Sequence, residues 1–284
     1  MNKQQLILIG SGVGLFCLIY FFGQTIPPKS TTPPPAEAGA PGNKPETIDI
    51  KAILASSKEQ LTPSQQSYIS QLESAVVRGD IKEQQIKVYK QMAAFWRDSA
   101  HLLLPYAYYS GMASKLENSE KSLTFAAHYF LEGLRQQPNP ALKTWMAGEA
   151  KEMFEKALAI NPDNDSTKIG LGSCYLFGNI SENPMQGIQM IREVADRDTT
   201  NMFAQFMLGL GGLQSGQFDK AIERLIKVVA KEPKNVEAVI ALAESYERKG
   251  DKENAVKWYT NSKQFFTEKE ILQEIDARIA QLKK

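Results

Sequence analysis

Two adjacent stretches, Met202–Asn235 and Val236–Lys269, carry one pattern twice at a spacing of 34 residues. The first runs through Leu208-Gly209, then Gly216-Gln217-Phe218-Asp219-Lys220-Ala221-Ile222, then Lys231-Glu232-Pro233-Lys234-Asn235. The second answers with Leu242-Ala243, Tyr246 and Gly250-Asp251-Lys252-Glu253-Asn254-Ala255-Val256. On either side of each glycine turn the apolar spacing is helical. Each stretch therefore reads as two amphipathic helices that cannot bury their apolar faces alone, so that neighbouring units must stack.

Working outward, the apolar period stays helical from Thr62 onward and no alternating strand pattern interrupts it. Start signals recur. Thr62-Pro63-Ser64-Gln65 is a capping box with proline at the first helical position, Asn183-Pro184-Met185-Gln186 repeats the idea, and Thr267-Glu268-Lys269-Glu270 opens the last helix. Asp165–Asn201 is a third unit, with Leu171-Gly172 and Tyr175 on its first helix, Gly187 at the small position of its second, and an insertion around Asn179–Asn183. Before it, Ala150, Phe154, Ala157 and Pro162 mark a second helix. Further upstream, Gln65–Arg97 (turning at Gly79-Asp80) and His101–Arg135 (turning at Asn118-Ser119) read as two degenerate units. That division leaves the helix near Ala141–Ile160 without a partner. Glu268–Lys284 sets Ile271, Leu272, Ile275, Ile279 and Leu282 on one face, which suits a helix that covers the last apolar surface of an array.

These residues resemble the tetratricopeptide repeat (TPR) family across most of residues 62–266. The resemblance implies an all-α solenoid of stacked antiparallel helix pairs with a concave groove that binds a protein or peptide segment. Gly212 departs from the usual Tyr, and no Pro ends the last repeat. The family's groove is lined by first helices. Carried over, this puts Ile169, Leu176 and Phe177 in the unit from Asp165, Phe203, Phe206, Leu210 and Leu213 in the unit from Met202, and Ile240 and Glu244 in the last. The lining then grades from apolar and aromatic to acidic. Adjacent aromatics in a concavity are what peptide anchors need, because desolvated aromatic contacts dominate binding energy. Gripping a C-terminal carboxylate through Lys and Asn is not expected, since those positions are apolar or acidic here. More narrowly, the chain resembles membrane-anchored bacterial TPR proteins, some of which serve cytochrome c maturation or envelope assembly.

The N-terminus carries a different signal. Leu6 to Phe22 is an apolar run interrupted only by Gly10, Ser11, Gly12 and Gly14. Its rise as a helix is about 26 Å, close to a ~30 Å hydrocarbon core. Residues 1–26 are expected to be an uncleaved membrane anchor, with residues 6–22 in the lipid bilayer. A cleaved signal peptide would want an Ala-x-Ala site, and Gly23-Gln24-Thr25-Ile26-Pro27-Pro28 does not provide one. A lipoprotein is disfavoured by Phe16 before Cys17. Gly10-x-x-x-Gly14 is a spacing at which two spans pack closely, so a homodimer is a second partner to test. Half of the 14 prolines fall between Pro27 and Pro45. Residues 27–56 are therefore expected to be a linker, semi-rigid where proline is dense. Residues 57–284 are expected to be the repeat domain with its capping helix. A short end in the cytosol places that domain outside, periplasmic at a bacterial inner membrane.

The 284 residues carry a formal net charge of +1, so no basic face calls for nucleic acid. Two cysteines, Cys17 and Cys174, give no disulfide framework. His101 and His128 are the only histidines and are expected to be ordinary helix residues, too few for a metal site with Cys174. Gly209-Leu210-Gly211-Gly212 lacks the strand and the full glycine order of a dinucleotide loop, and close helix packing explains it better. Phe95 and Trp96 with Tyr106, Tyr108 and Tyr109 form an aromatic cluster expected to be core. No catalytic residue, cofactor or metal is expected. The sequence points to a membrane-anchored interaction scaffold that binds a partner segment in its groove, with envelope protein assembly as its setting. A self-associating structural scaffold of the envelope is the alternative.

Overall fold

The computed structural model describes residues 48–78, 81–180 and 184–284. They form thirteen α-helices and no strand. In chain order these are α1 (Ile50–Glu59), α2 (Pro63–Arg78), α3 (Lys82–Asp98), α4 (Leu103–Glu117), α5 (Glu120–Gln136), α6 (Pro140–Ile160) and α7 (Asp165–Phe177). Then follow α8 (Met185–Arg197), α9 (Met202–Gln214), α10 (Phe218–Lys231), α11 (Val236–Lys249), α12 (Lys252–Ser262) and α13 (Lys269–Leu282). All belong to one unit, Pro45–Lys284. Among the described residues no helix is long and apolar enough to cross a membrane. The expected span at 6–22 lies outside them.

Local chemistry sets the helix starts. Asn164, Asn201 and Asn235 each accept, through their side-chain oxygen, the backbone N–H three residues on, at 3.0 Å from Thr167, Ala204 and Ala238. One cap thus opens α7, α9 and α11 alike, satisfying an orphan donor worth about 1 kcal/mol each time. The Thr62 box forms as expected: the Thr62 N–H donates to Gln65 Oε1 at 3.0 Å, and the Gln65 N–H to Thr62 Oγ1 at 3.4 Å. At α13 the helix begins at Lys269 with no side-chain cap, because the Glu268 carboxylate takes the Thr267 N–H instead. One helix starts earlier than the sequence implied. α1 begins at Ile50, inside the stretch expected to be linker, where Asp49 accepts from the Lys51 and Ala52 N–H groups and Leu54 is buried.

The pairing upstream differs from the sequence reading. α3 packs chiefly on α4, α5 on α6, α7 on α8, α9 on α10 and α11 on α12. Each second helix then packs on the next first helix, and the first helices α5, α7, α9 and α11 touch in a row. The expected units α2/α3 and α4/α5 are therefore out of phase by one helix, and the orphan near Ala141–Ile160 is the partner of α5. Asn118 does end α4, at φ 52°, as a left-handed cap. Such a residue marks a reversal of the chain and says nothing of which flank packs more closely. What binds α5 to α6 is a buried seam of Ala126, Ala127, Phe130 and Leu134 against Met146, Ala147, Ala150 and Phe154.

Two apolar cores result. One joins Leu54, Leu61, Ile69, Met92, Phe95, Trp96, Tyr106 and Tyr109 across α1–α4. The other runs from Ala107 to Leu242 through the array. Tyr129 packs against both. The aromatic cluster is core, as expected, except that Tyr108 is half-buried. Within the array α7 and α8 meet backbone to backbone, since a Cβ added at Gly187 would stand 2.2 Å from the Gly172 carbonyl oxygen. α13 covers α12, burying Ile279 and Leu282. Its Arg278 donates to Glu247 at 3.0 Å, and the Tyr259 hydroxyl donates to the same carboxylate at 2.8 Å.

Candidate partner-binding groove

The residues expected to line the groove sit on α7, α9 and α11, and the structure divides them. Ile169 is fully buried, and Phe177, Phe206 and Leu213 are nearly so. Leu176, Phe203, Leu210, Ile240 and Glu244 are half-buried and reach the surface. Phe206 is covered by the Arg135 guanidinium, 5.7 Å above its ring centre. Phe203 lies beside the His128 ring of α5 at 5.6 Å. The expected anchors are thus half floor and half surface.

One cavity of about 310 Å³ gathers several of them. Phe177, Leu210 and Leu213 line it together with Gln214, Glu237, Glu244, Arg248, Arg135 and Lys143. Arg135, in the last turn of α5, reaches across two repeats to Glu237 on α11, with NH1 and NH2 at 2.8 and 3.0 Å from the two carboxylate oxygens. Glu244 pairs with Arg248 one turn on, at 2.5 Å. The acidic end expected at Glu244 is therefore neutralised, as is the Glu237 carboxylate beside it. Arg135 was missed because the sequence pairing made α5 a second helix, turned away from the groove, and Lys143 because its helix was left without a partner. Taken as a first helix, its last turn falls on the same face as Leu210 and Leu213. That phase was the signal available.

His101 is not a helix residue. It lies between α3 and α4 at φ 55°. His128 does sit on α5, its Nε2 3.0 Å from Ser166 Oγ and its ring 5.1 Å from Phe154. Burial lowers its pKa. Cys174 is buried, and burial pushes its thiol well above the ordinary value, so no thiolate nucleophile stands ready. Among the described residues no group of three or more His, Cys, Asp or Glu could hold a metal ion. A second cavity of about 360 Å³ lies between α3, α4 and α5, floored by Ala93, Ala94 and Ala113, with Phe125 56% exposed at its rim.

Family models described as tetratricopeptide repeat match residues 206–263 and residues 147–164. Those two stretches are tetratricopeptide repeat sequence. The longer match covers the repeats from α9 to α12, and the shorter one ends the helix that pairs with α5. Among curated proteins the chain is similar to a cytochrome c-type biogenesis protein CcmH of Haemophilus influenzae, 22% identical over 171 residues. That match covers 54% of this chain and 37% of the relative, so the chain spans little more than a third of the protein it matches. Among solved structures it is similar to MamA, at 19% identity, 63% and 91% coverage of the two chains and a TM-score of 0.41. It is also similar to YrrB, titled a TPR protein with an unusual peptide-binding site, at 17% identity, 67% and 91% coverage and a TM-score of 0.42.

Proposed function

We propose that this TPR protein is a tethered adaptor whose first-helix row takes a segment of a protein partner. The observation that carries the reading is the convergence of α5, α7, α9 and α11 on one cavity with an apolar floor and a charged rim. Repeat arrays use such surfaces for binding, because each unit buries its core against neighbours and leaves one face free. Half-buried Phe203 and Leu210 are the groove's apolar anchors. Residues 6–22 hold the chain in the bilayer and the proline-rich stretch from Pro27 to Pro45 sets the repeats apart from it. The repeats work on the periplasmic side of a bacterial inner membrane, in envelope protein assembly. Similarity to a cytochrome c-type biogenesis protein supports that setting.

Affinity purification of the full chain from envelope extracts, with quantitative mass spectrometry, tests the reading. Proteins enriched with the wild type should be lost with Leu210→Glu and kept with Phe125→Glu. Enrichment of the chain itself alone would favour the self-associating scaffold instead. A reporter fused after Lys284 should be active only outside the cytosol, and cytosolic activity would reverse the topology.

A further inference from the structure

We propose that the segment seated in this groove carries a side-chain carboxylate next to an aliphatic residue, and that Lys143 receives that carboxylate. The inference rests on the groove reading and adds the chemistry of the occupant. Five charged side chains reach the cavity. Arg135 is matched by Glu237 and Arg248 by Glu244. Lys143, in the first turn of α6, is half-buried and has no ion pair among the described residues. The groove therefore holds one positive charge in excess, beside an apolar floor.

A half-buried ammonium is less well solvated than one in bulk water, so an opposing charge brought against it gains more than at an open surface. A cationic segment would face that ammonium directly or have to break one of the two existing pairs, which selects against it. One unmatched ammonium suits one side-chain carboxylate. A chain terminus, held through both oxygens, calls for a second unmatched cation that the cavity lacks among the described residues. The floor supplies the other half of the motif, because Leu210 and Leu213 offer contact area only to an apolar side chain. The unmatched charge comes from α6, so the preference is written outside the two clearest repeats.

The test is fluorescence anisotropy on the full chain in detergent, with acetylated and amidated peptides that carry a central leucine. Glu, Gln or Lys is placed in turn at each neighbouring position, and one series keeps a free C-terminus. Glu peptides should bind about tenfold tighter than their Gln counterparts, with Lys weakest. Lys143→Gln should erase the difference between Glu and Gln while leucine-dependent binding remains, and Lys143→Glu should reverse the order. Circular dichroism checks that both variants keep their helices. Leucine-dependent binding without a Glu preference would overturn the carboxylate assignment and leave the groove standing. Gain only from the free C-terminus would give the anion to a chain end and overturn it too. No binding by any peptide, or binding indifferent to both leucine and Leu210→Glu, would overturn the groove reading itself.

Discussion

The helices α1–α4 and the array α5–α12 are both all-helical, yet different side chains hold them together. In the first region large rings do it. Tyr68 of α2 meets Phe95 of α3 at 5.6 Å, Tyr89 of α3 stacks on Tyr109 of α4 at 6.3 Å, and Tyr106 reaches Tyr129 of α5 at 4.5 Å. In the second, alanine and glycine set the closest approaches: Ala126, Ala147 and Ala150 in a seam shared with Phe130 and Phe154, Gly172 against Gly187 in another. Small residues at fixed positions let one helix pair follow the next in the same geometry, which is why a period of 34 residues can exist. Interlocking rings fit one another and nothing else, so they repeat nothing.

That contrast can be broken by substitution, and the largest effect is expected in the ring core. Trp96→Ala removes a fully buried indole and should cost about 4 kcal/mol. Hydrogen exchange should then rise across α1–α4 while α9–α12 keep their protection, since repeats contact only their neighbours. Equal loss in both regions would make the two cores one cooperative unit. Next comes Gly187→Ala, whose Cβ meets a backbone oxygen that cannot turn aside. Chemical denaturation should register about 3 kcal/mol, and a neutral result would mean that α7 and α8 can part freely. Asn201→Ala and Asn235→Ala should each lower stability by about 1 kcal/mol. Unequal losses would break the equivalence of the two repeats that the shared cap implies.

The smallest effect belongs to His128, which packs inside the array on α5. Burial holds its imidazole below the ordinary value, so the unfolded chain takes up that proton more readily than the folded one. Its contribution to stability is present above about pH 6.5 and is lost as the pH falls toward the lowered folded value. Thermal melts across that window should slope less for His128→Gln than for the wild type. Identical slopes would remove His128 as the cause.

The same contrast explains what the sequence made legible. Where packing recurs, the residues that do it recur: the glycines of α7 and α9 and the helix pairs from Asp165 onward were readable, while the caps at Asn201 and Asn235 are seen only in the structure. Where rings do the packing, Asn118 was readable only as a reversal, and the pairing slipped by one helix. That slip hid Arg135, because a residue's face follows from its helix's place in the pair, and left the helix of Lys143 without any place in one. Exposure was the other loss. Phe206 occupies a groove position by spacing, but a long side chain from two repeats away lies over it. Contacts between residues so far apart in sequence, such as Arg135 with Glu237, leave no trace in local periodicity.

Two surfaces compete for a partner, the groove cavity at Leu210 within the array and the cavity where α3 and α4 meet α5, at Phe125. Photo-crosslinking of the full chain in cells, with a photoreactive residue placed at Leu210 in one variant and at Phe125 in another, chooses between them. One dominant foreign protein joined from Leu210 and absent from Phe125 is the predicted result. A foreign adduct from Phe125 with none from Leu210 would contradict the account and move the binding face to the cavity between α3, α4 and α5.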